Sequence, residues 1–173
     1  MVKEIIVTNI LPEGSLQLIC GSANGILDHI CCEDVVTFTG SASTGKMLKV
    51  HPKLIDESVP FNMEADSLNA SILGKDANPG TEEFDLYIKE VLKEMTVKAG
   101  QKCTAVRRII VPEELVEDVQ KALCERLSKT TIGDPAVEGV RMGSLAGNSQ
   151  VVEVSEKINK LSQSQTIIYG DLE

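Results

Sequence analysis

The stretch "VVTFTGSASTGKMLK" (residues 35–49) decides how this chain is read. Residues 35 to 39 are β-branched or aromatic and predict a strand. Gly40 then breaks the run, and residues from about Ser41 to Val50 read as a helix that closes before Pro52. A turn from strand into helix sets backbone N–H groups at the positive helix end, where an anion is stabilised. Gly40, Gly45 and Lys46 nearly complete the phosphate loop G-x-x-x-x-G-K-[ST], but Met47 stands where a magnesium-binding hydroxyl is required. The carboxylates of "CCEDVV" (31–36) also precede the strand instead of following it. Three readings stay open on these residues: a triphosphate loop without its metal grip, a strand–turn–helix with no ligand, or a turn that holds some other phosphate.

Outward from this stretch the grammar is that of a parallel α/β sheet. Residues 2 to 10 read as the end of a helix stopped by Pro12 and Gly14. "LQLIC" (16–20) is a buried-strand candidate, and 24–32 a short helix with Asn24 as its cap. "VPFNMEADSLNASILG" (59–74) predicts two short strands around a polar turn. Over 81–98, Phe84, Tyr87, Ile88, Val91, Leu92 and Met95 recur at helical spacing, with Thr81 at the start and Gly100 at the stop. "AVRRIIV" (105–111) predicts a strand, and Pro112 opens a helix whose buried stripe is Leu115, Val116, Val119, Leu123 and Leu127. "TIGDP" (131–135) breaks the pattern; a polar helix near 150–162 and a closing strand "TIIYG" (166–170) follow. A boundary is expected near residue 65.

With 173 residues the chain is long enough to bury a real core. A net charge of −9 speaks against a general nucleic-acid binder. No apolar run approaches the roughly 20 residues of a membrane helix, and the start has no clean signal-peptide core, so no membrane partner is expected. Five cysteines without regular spacing, two of them adjacent (Cys31 and Cys32), suit reduced thiols in a cytoplasmic protein. The two histidines, His29 and His51, lack the spacing of a metal site, and no metal is expected.

Two further stretches can carry chemistry. In "VKAGQKCTAVRR" (97–108), Cys103 follows Gly100 on a turn between a helix and a strand, where a thiol can be exposed and oriented. A small buried hydrophobe is the competing reading of that cysteine. In "PFNMEADSLN" (60–69), Glu64 ends an apolar run; partly buried it would serve as a general base, and in water it is an ordinary turn carboxylate.

In this order the three stretches resemble the aldehyde dehydrogenase superfamily. Phe38, Thr39, Gly40 and Ser41 match its F-T-G-S motif, and Gly45 a glycine of the helix that follows. Gly100, Gln101, Lys102 and Cys103 match G-Q-x-C, and "MEADSLN" (63–69) is a variant of E-L-G-G-K without the double glycine. "LPEGSLQLICG" (11–21), "IGDP" (132–135) and "MGSL" (142–145) resemble further family signatures, so the likeness runs through nearly the whole chain.

The resemblance implies an α/β, aldehyde dehydrogenase-like fold. Residues 1–65 would be the C-terminal part of a Rossmann-like NAD(P)-binding domain, and 66–173 the N-terminal part of the catalytic domain. Thr39, Gly40, Ser41 and Gly45 would lie against the cofactor, NADP with NAD as the alternative. Cys103 would be the nucleophile, its N–H part of the oxyanion site, and Glu64 the general base. The branch most alike implies a CoA-linked semialdehyde from aerobic aromatic-acid breakdown as substrate, and the family implies homo-oligomers. The family's length implies that this chain is an internal fragment, inactive alone. The alternative from another class is a non-catalytic α/β module for binding or assembly.

Overall fold

The computed structural model describes residues 1–23 and 25–170. The chain packs as two compact units, Met1–Asp66 and Ser67–Glu173. The dividing point falls in the polar turn after Glu64, next to the boundary expected near residue 65.

In the first unit a short helix, α1 (Val2–Val7), leads into an irregular segment. Strand β1 (Val36–Gly40) then pairs in parallel with β2 (Phe61–Ala65). Parallel strands cannot be joined by a tight turn, and here the crossover holds α2 (Ala42–Lys49) and α3 (Pro52–Asp56). Pro52 does more than end the previous helix. It opens α3 at a first-turn position, where its missing N–H costs nothing. Leu54 and Val59 are the buried hydrophobes among the described residues of this unit.

In the second unit β3 (Ala70–Ile72) and β4 (Arg108–Ile110) pair in parallel. Their crossover is α4 (Glu82–Thr96), extended by a one-turn 3₁₀ segment. Thr81 caps α4 by accepting the Phe84 N–H at 3.3 Å, and Glu82, Glu83 and Asp85 place negative charge at its positive end. The apolar stripe of α4 meets that of α5 (Val116–Leu127). Phe84, Ile88 and Val91 from one helix and Leu115, Val119 and Leu123 at the other form the core with Leu73 and Ala77. Ile88 and Val91 are sealed from solvent. A last helix, α6 (Asn148–Ser162), buries no side chain among the described residues.

Several expectations change. "LQLIC" (16–20) and "TIIYG" (166–170) are not strands: among the described residues neither has a ladder partner, and Leu18, Ile19, Ile167 and Ile168 are exposed. Apolar composition alone cannot make a strand without a neighbour to take its hydrogen bonds. The helix of 24–32 shrinks to one 3₁₀ turn, Ile26–His29, entered through Gly25 at φ 80°; its expected cap, Asn24, lies outside the described residues. Pro112 precedes a 3₁₀ turn, Glu113–Leu115, and α5 proper begins at Val116.

Two outcomes follow for the second unit. Ile88→Ala leaves a cavity in a sealed position and is expected to destabilise it by about 3 kcal/mol in urea unfolding; a loss below about 1 kcal/mol would contradict this packing. Burial holds the Tyr87 phenol above its ordinary value of 10.0, and its hydroxyl donates to the Ser71 carbonyl at 3.1 Å. The raised value means that Tyr87's contribution is complete below the unfolded pKa and fades as pH rises through the folded one. Stability should therefore drop above about pH 10, and Tyr87→Phe should flatten that drop.

Candidate active site

The register of the first pair sets Thr39 beside Glu64 and Gly40 beside Ala65. Both strands therefore finish at one edge, the carboxyl edge where parallel α/β sheets accept ligands. The two exits are tied together. Asp66, at φ 55°, donates its N–H to the Gly40 carbonyl at 3.2 Å, and its Oδ1 accepts the Ala42 N–H at 3.0 Å. Thr39, Gly40, Ser41 and Glu64 are thus gathered in the first unit, and all four are exposed. Glu64 is the fourth residue of β2, not a turn residue, and it is exposed.

Ser41 is the N-cap of α2. Its hydroxyl accepts the Thr44 N–H at 3.2 Å and donates to Thr44 Oγ1 at 2.9 Å. The two glycines do different work. A Cβ on Gly40 would stand 2.6 Å from the Phe38 ring. Gly45 is buried, and a Cβ there would collide with Met63 Sδ and come within 3.2 Å of Phe38. Gly45 therefore has a packing reason of its own: it lets α2 lie against both strands. Lys46 and Met47, the next two residues, are exposed.

The positive start of α2 is where a phosphate-bearing cofactor would be held; its first amide is bonded by the Asp66 carboxylate, an anion that a phosphate would have to displace.

In the second unit α4 ends in a run of left-handed residues. Lys98, Ala99 and Gly100 have φ of 54°, 51° and 69°. Two of the three are not glycine, a local strain that tends to gather at working sites. The turn they make is held on several sides. Gln101 donates to the Lys98 carbonyl at 3.0 Å and accepts the Ala146 N–H at 2.8 Å. The Arg107 guanidinium donates to the Gly100 carbonyl at 2.8 Å, and Lys102 Nζ pairs with Glu94 Oε1 at 2.7 Å. The Asn69 carboxamide donates to the carbonyls of Cys103 and Ala105 at 2.6 and 3.2 Å. On this held main chain the Cys103 thiol is free and exposed. The other cysteines of the described residues are also free; Cys20, Cys31 and Cys32 are exposed and Cys124 is partly covered.

Nearby in sequence order, "IGDP" and "MGSL" come together. Ile132 and Met142 form a parallel bridge, and the Gly133 N–H reaches the Met142 carbonyl at 3.0 Å. Through Ala146 that segment meets Gln101, which ties it to the turn of Cys103.

Asp66, Asn69, Gln101 and Arg107 are the residues that reading by motif leaves without a role. Asn69 carries one signal in the sequence, a carboxamide at the end of a polar turn just before a strand. The contacts of Gln101 and Arg107 depend on tertiary placement and leave no local trace.

The aldehyde dehydrogenase family profile matches residues 1–172, and this chain belongs to that family. It is 45% identical over 170 residues to the 3,4-dehydroadipyl-CoA semialdehyde dehydrogenase of Aromatoleum evansii, an alignment covering 98% of this chain and 33% of that protein. The crystal structure of betaine aldehyde dehydrogenase from Staphylococcus aureus in complex with NAD⁺ superposes with a TM-score of 0.70 at 25% identity, over 79% of this chain and 26% of the other. The chain spans about a third of the length of the curated relative it matches. Among the described residues no helix is long and apolar enough to cross a membrane.

Ser41→Ala removes a cap while Ser41→Gly keeps a tolerated N-cap residue. The first is expected to destabilise the first unit by about 1 kcal/mol and the second by a few tenths. Equal losses in urea unfolding would mean that the hydroxyl does not hold the helix start.

Proposed function

We propose that this chain is the central part of an NADP-dependent aldehyde dehydrogenase that oxidises a CoA-linked semialdehyde to the acid. Residues 1–65 contribute to the dinucleotide-binding domain and 66–173 to the catalytic domain. The observation that carries the reading is the exposed Cys103 sulfur on a turn whose Gly100, Cys103 and Ala105 carbonyls are bonded by the Arg107 and Asn69 side chains. Cys20, Cys31 and Cys32 are exposed as well, and what supports the reading of Cys103 is the bracing of its main chain by Asn69.

Cys103 Sγ attacks the aldehyde carbon and forms a thiohemiacetal. The Cys103 N–H helps to stabilise the oxygen that becomes negative. The dinucleotide, when bound, supplies the hydride acceptor. Oxidation of the adduct leaves a thioester on Sγ. Glu64 takes a proton from the water that attacks this thioester, which releases the carboxylic acid and restores the thiol.

Thr39, Gly40 and Ser41 would hold the pyrophosphate at the start of α2. Gly40 would let the main chain come close, and the Ser41 hydroxyl would have to turn from Thr44 Oγ1 to donate to a phosphate oxygen. Gly45 serves by packing α2 onto the strands. A dinucleotide phosphate needs no magnesium-binding hydroxyl, so Met47 is no defect. The preference for NADP over NAD, the semialdehyde class and a homo-oligomeric state follow the branch of the family that this chain resembles. Because the chain spans a third of that relative, turnover is assigned to the longer protein and none to residues 1–173 alone.

The test uses the protein as its gene encodes it. Acid quench during turnover with a CoA-linked semialdehyde and NADP should leave an acyl group on the peptide holding Cys103. Cys103→Ala should lose at least about 10³-fold in kcat. Glu64→Gln should accumulate the acyl adduct while turnover falls roughly 10²-fold. Activity retained by Cys103→Ala, with no adduct on that peptide, would remove the assignment.

A further inference from the structure

We propose that Asn69 is a positioning residue for the Cys103 sulfur, an inference that rests on the reading of Cys103 as nucleophile. Asn69 stands immediately before β3. Its Nδ2 donates to the Cys103 carbonyl at 2.6 Å and to the Ala105 carbonyl at 3.2 Å. Its own carbonyl accepts the N–H groups of Arg107 and Arg108 at 2.9 and 3.1 Å. One residue thus binds four main-chain groups between positions 103 and 108.

The geometry has a clear physical purpose. The β3–β4 ladder begins with Ala70 beside Arg108. Residues 103–107 precede it and have no strand to hold them. A carboxamide offers two N–H groups on one nitrogen, and here both meet the carbonyls of alternate residues. The side chain of Asn69 thereby extends the ladder toward the nucleophile. Cys103 is exposed, so packing cannot fix its sulfur. Binding its carbonyl fixes the main chain from which the Cα–Cβ bond departs, and leaves chiefly χ1 free.

The residue type is specific. An ionised aspartate has the same shape but no donor, and would set a negative oxygen against two carbonyls. Alanine offers nothing. The effect is expected in the rate of bond formation at sulfur and not in substrate binding, because a small misplacement of a reacting atom acts mainly on the transition state.

Asn69→Ala and Asn69→Asp are compared with the unmodified protein as its gene encodes it. The expected result in both is a roughly 10- to 100-fold fall in kcat with KM for aldehyde and dinucleotide changed less than about threefold. Amide hydrogen exchange of residues 104–107 should quicken while that of α4 and α5 stays the same. Asn69→Asp keeps the volume, so its loss isolates the donor from the packing. Full kcat in both variants overturns the inference, and so does faster exchange throughout α4 and α5, since Asn69 would then hold the core and not the sulfur. The underlying reading fails in a different way: Cys103→Ala would stay active. An inactive Cys103→Ala beside a fully active Asn69→Ala overturns the inference alone.

Discussion

Parallel pairing is the constraint on which both units depend. Each pair must be joined by a long crossover, so each brings residues distant in sequence to a common edge. In the first unit the register of Thr39 with Glu64 makes the carboxyl edge a meeting place of the strand exits. In the second, the register of Ala70 with Arg108 brings the amino edges together. Asn69 then lies beside the segment that holds Cys103 without any further device. The candidate site residues of both units therefore collect near where a ladder starts or stops, because there main-chain groups are available to be bound by something other than a strand.

Much of this was legible in the sequence, and the reason is that local signals agreed. The stripe from Phe84 to Val91 has the period of a helix, a threonine cap before it and acidic residues in its first turn. Each signal independently selects α4. The strand of 36–40 is equally plain, since β-branched residues run directly into a glycine and a cap. "LQLIC" and "TIIYG" misled because an apolar run states only a wish to be covered or paired. Whether a partner exists is a property of the tertiary structure. The site divides in the same way. Cys103, Glu64, Thr39, Gly40 and Ser41 stand out by motif, and the residues that brace them do not. A hydrogen bond from Asn69 to position 103, or from Ala146 to Gln101, has no periodicity to betray it.

The departures from glycine have physical explanations in their own surroundings. Asp66 occupies a left-handed position in place of the first glycine of the family motif. Aspartate is among the few residues that accept this conformation, because its short carboxylate can bond locally. Here that carboxylate satisfies the first orphan amide of α2, which a glycine could not do. The turn before Cys103 is a stronger case. Lys98 and Ala99 gain nothing of that kind from their own side chains, yet both are left-handed. Their conformation is held by the bonds from Gln101 and Arg107 to the Lys98 and Gly100 carbonyls.

On the proposed role of Cys103, these bonds answer a conflict built into any exposed nucleophile. A sulfur that substrate must reach cannot be sealed in a core, and a core is the usual source of a fixed side-chain position. The alternative is to hold the backbone and leave the side chain bare. The turn around Cys103 follows that solution: charge-paired Lys102 on one side, the Asn69 carboxamide on the carbonyl, and a bracing arginine behind. Ala105, wholly buried two residues on, roots the segment in the second unit. A short side chain at 105 allows the main chain to sink there while the thiol at 103 stays in the open. The spacing of two matters, since in extended chain it would send both side chains the same way; residues 103 to 105 are instead in a turn, closed by the Ala105 N–H on the Lys102 carbonyl at 3.2 Å. That turn is what separates a buried methyl from an exposed sulfur only two residues apart.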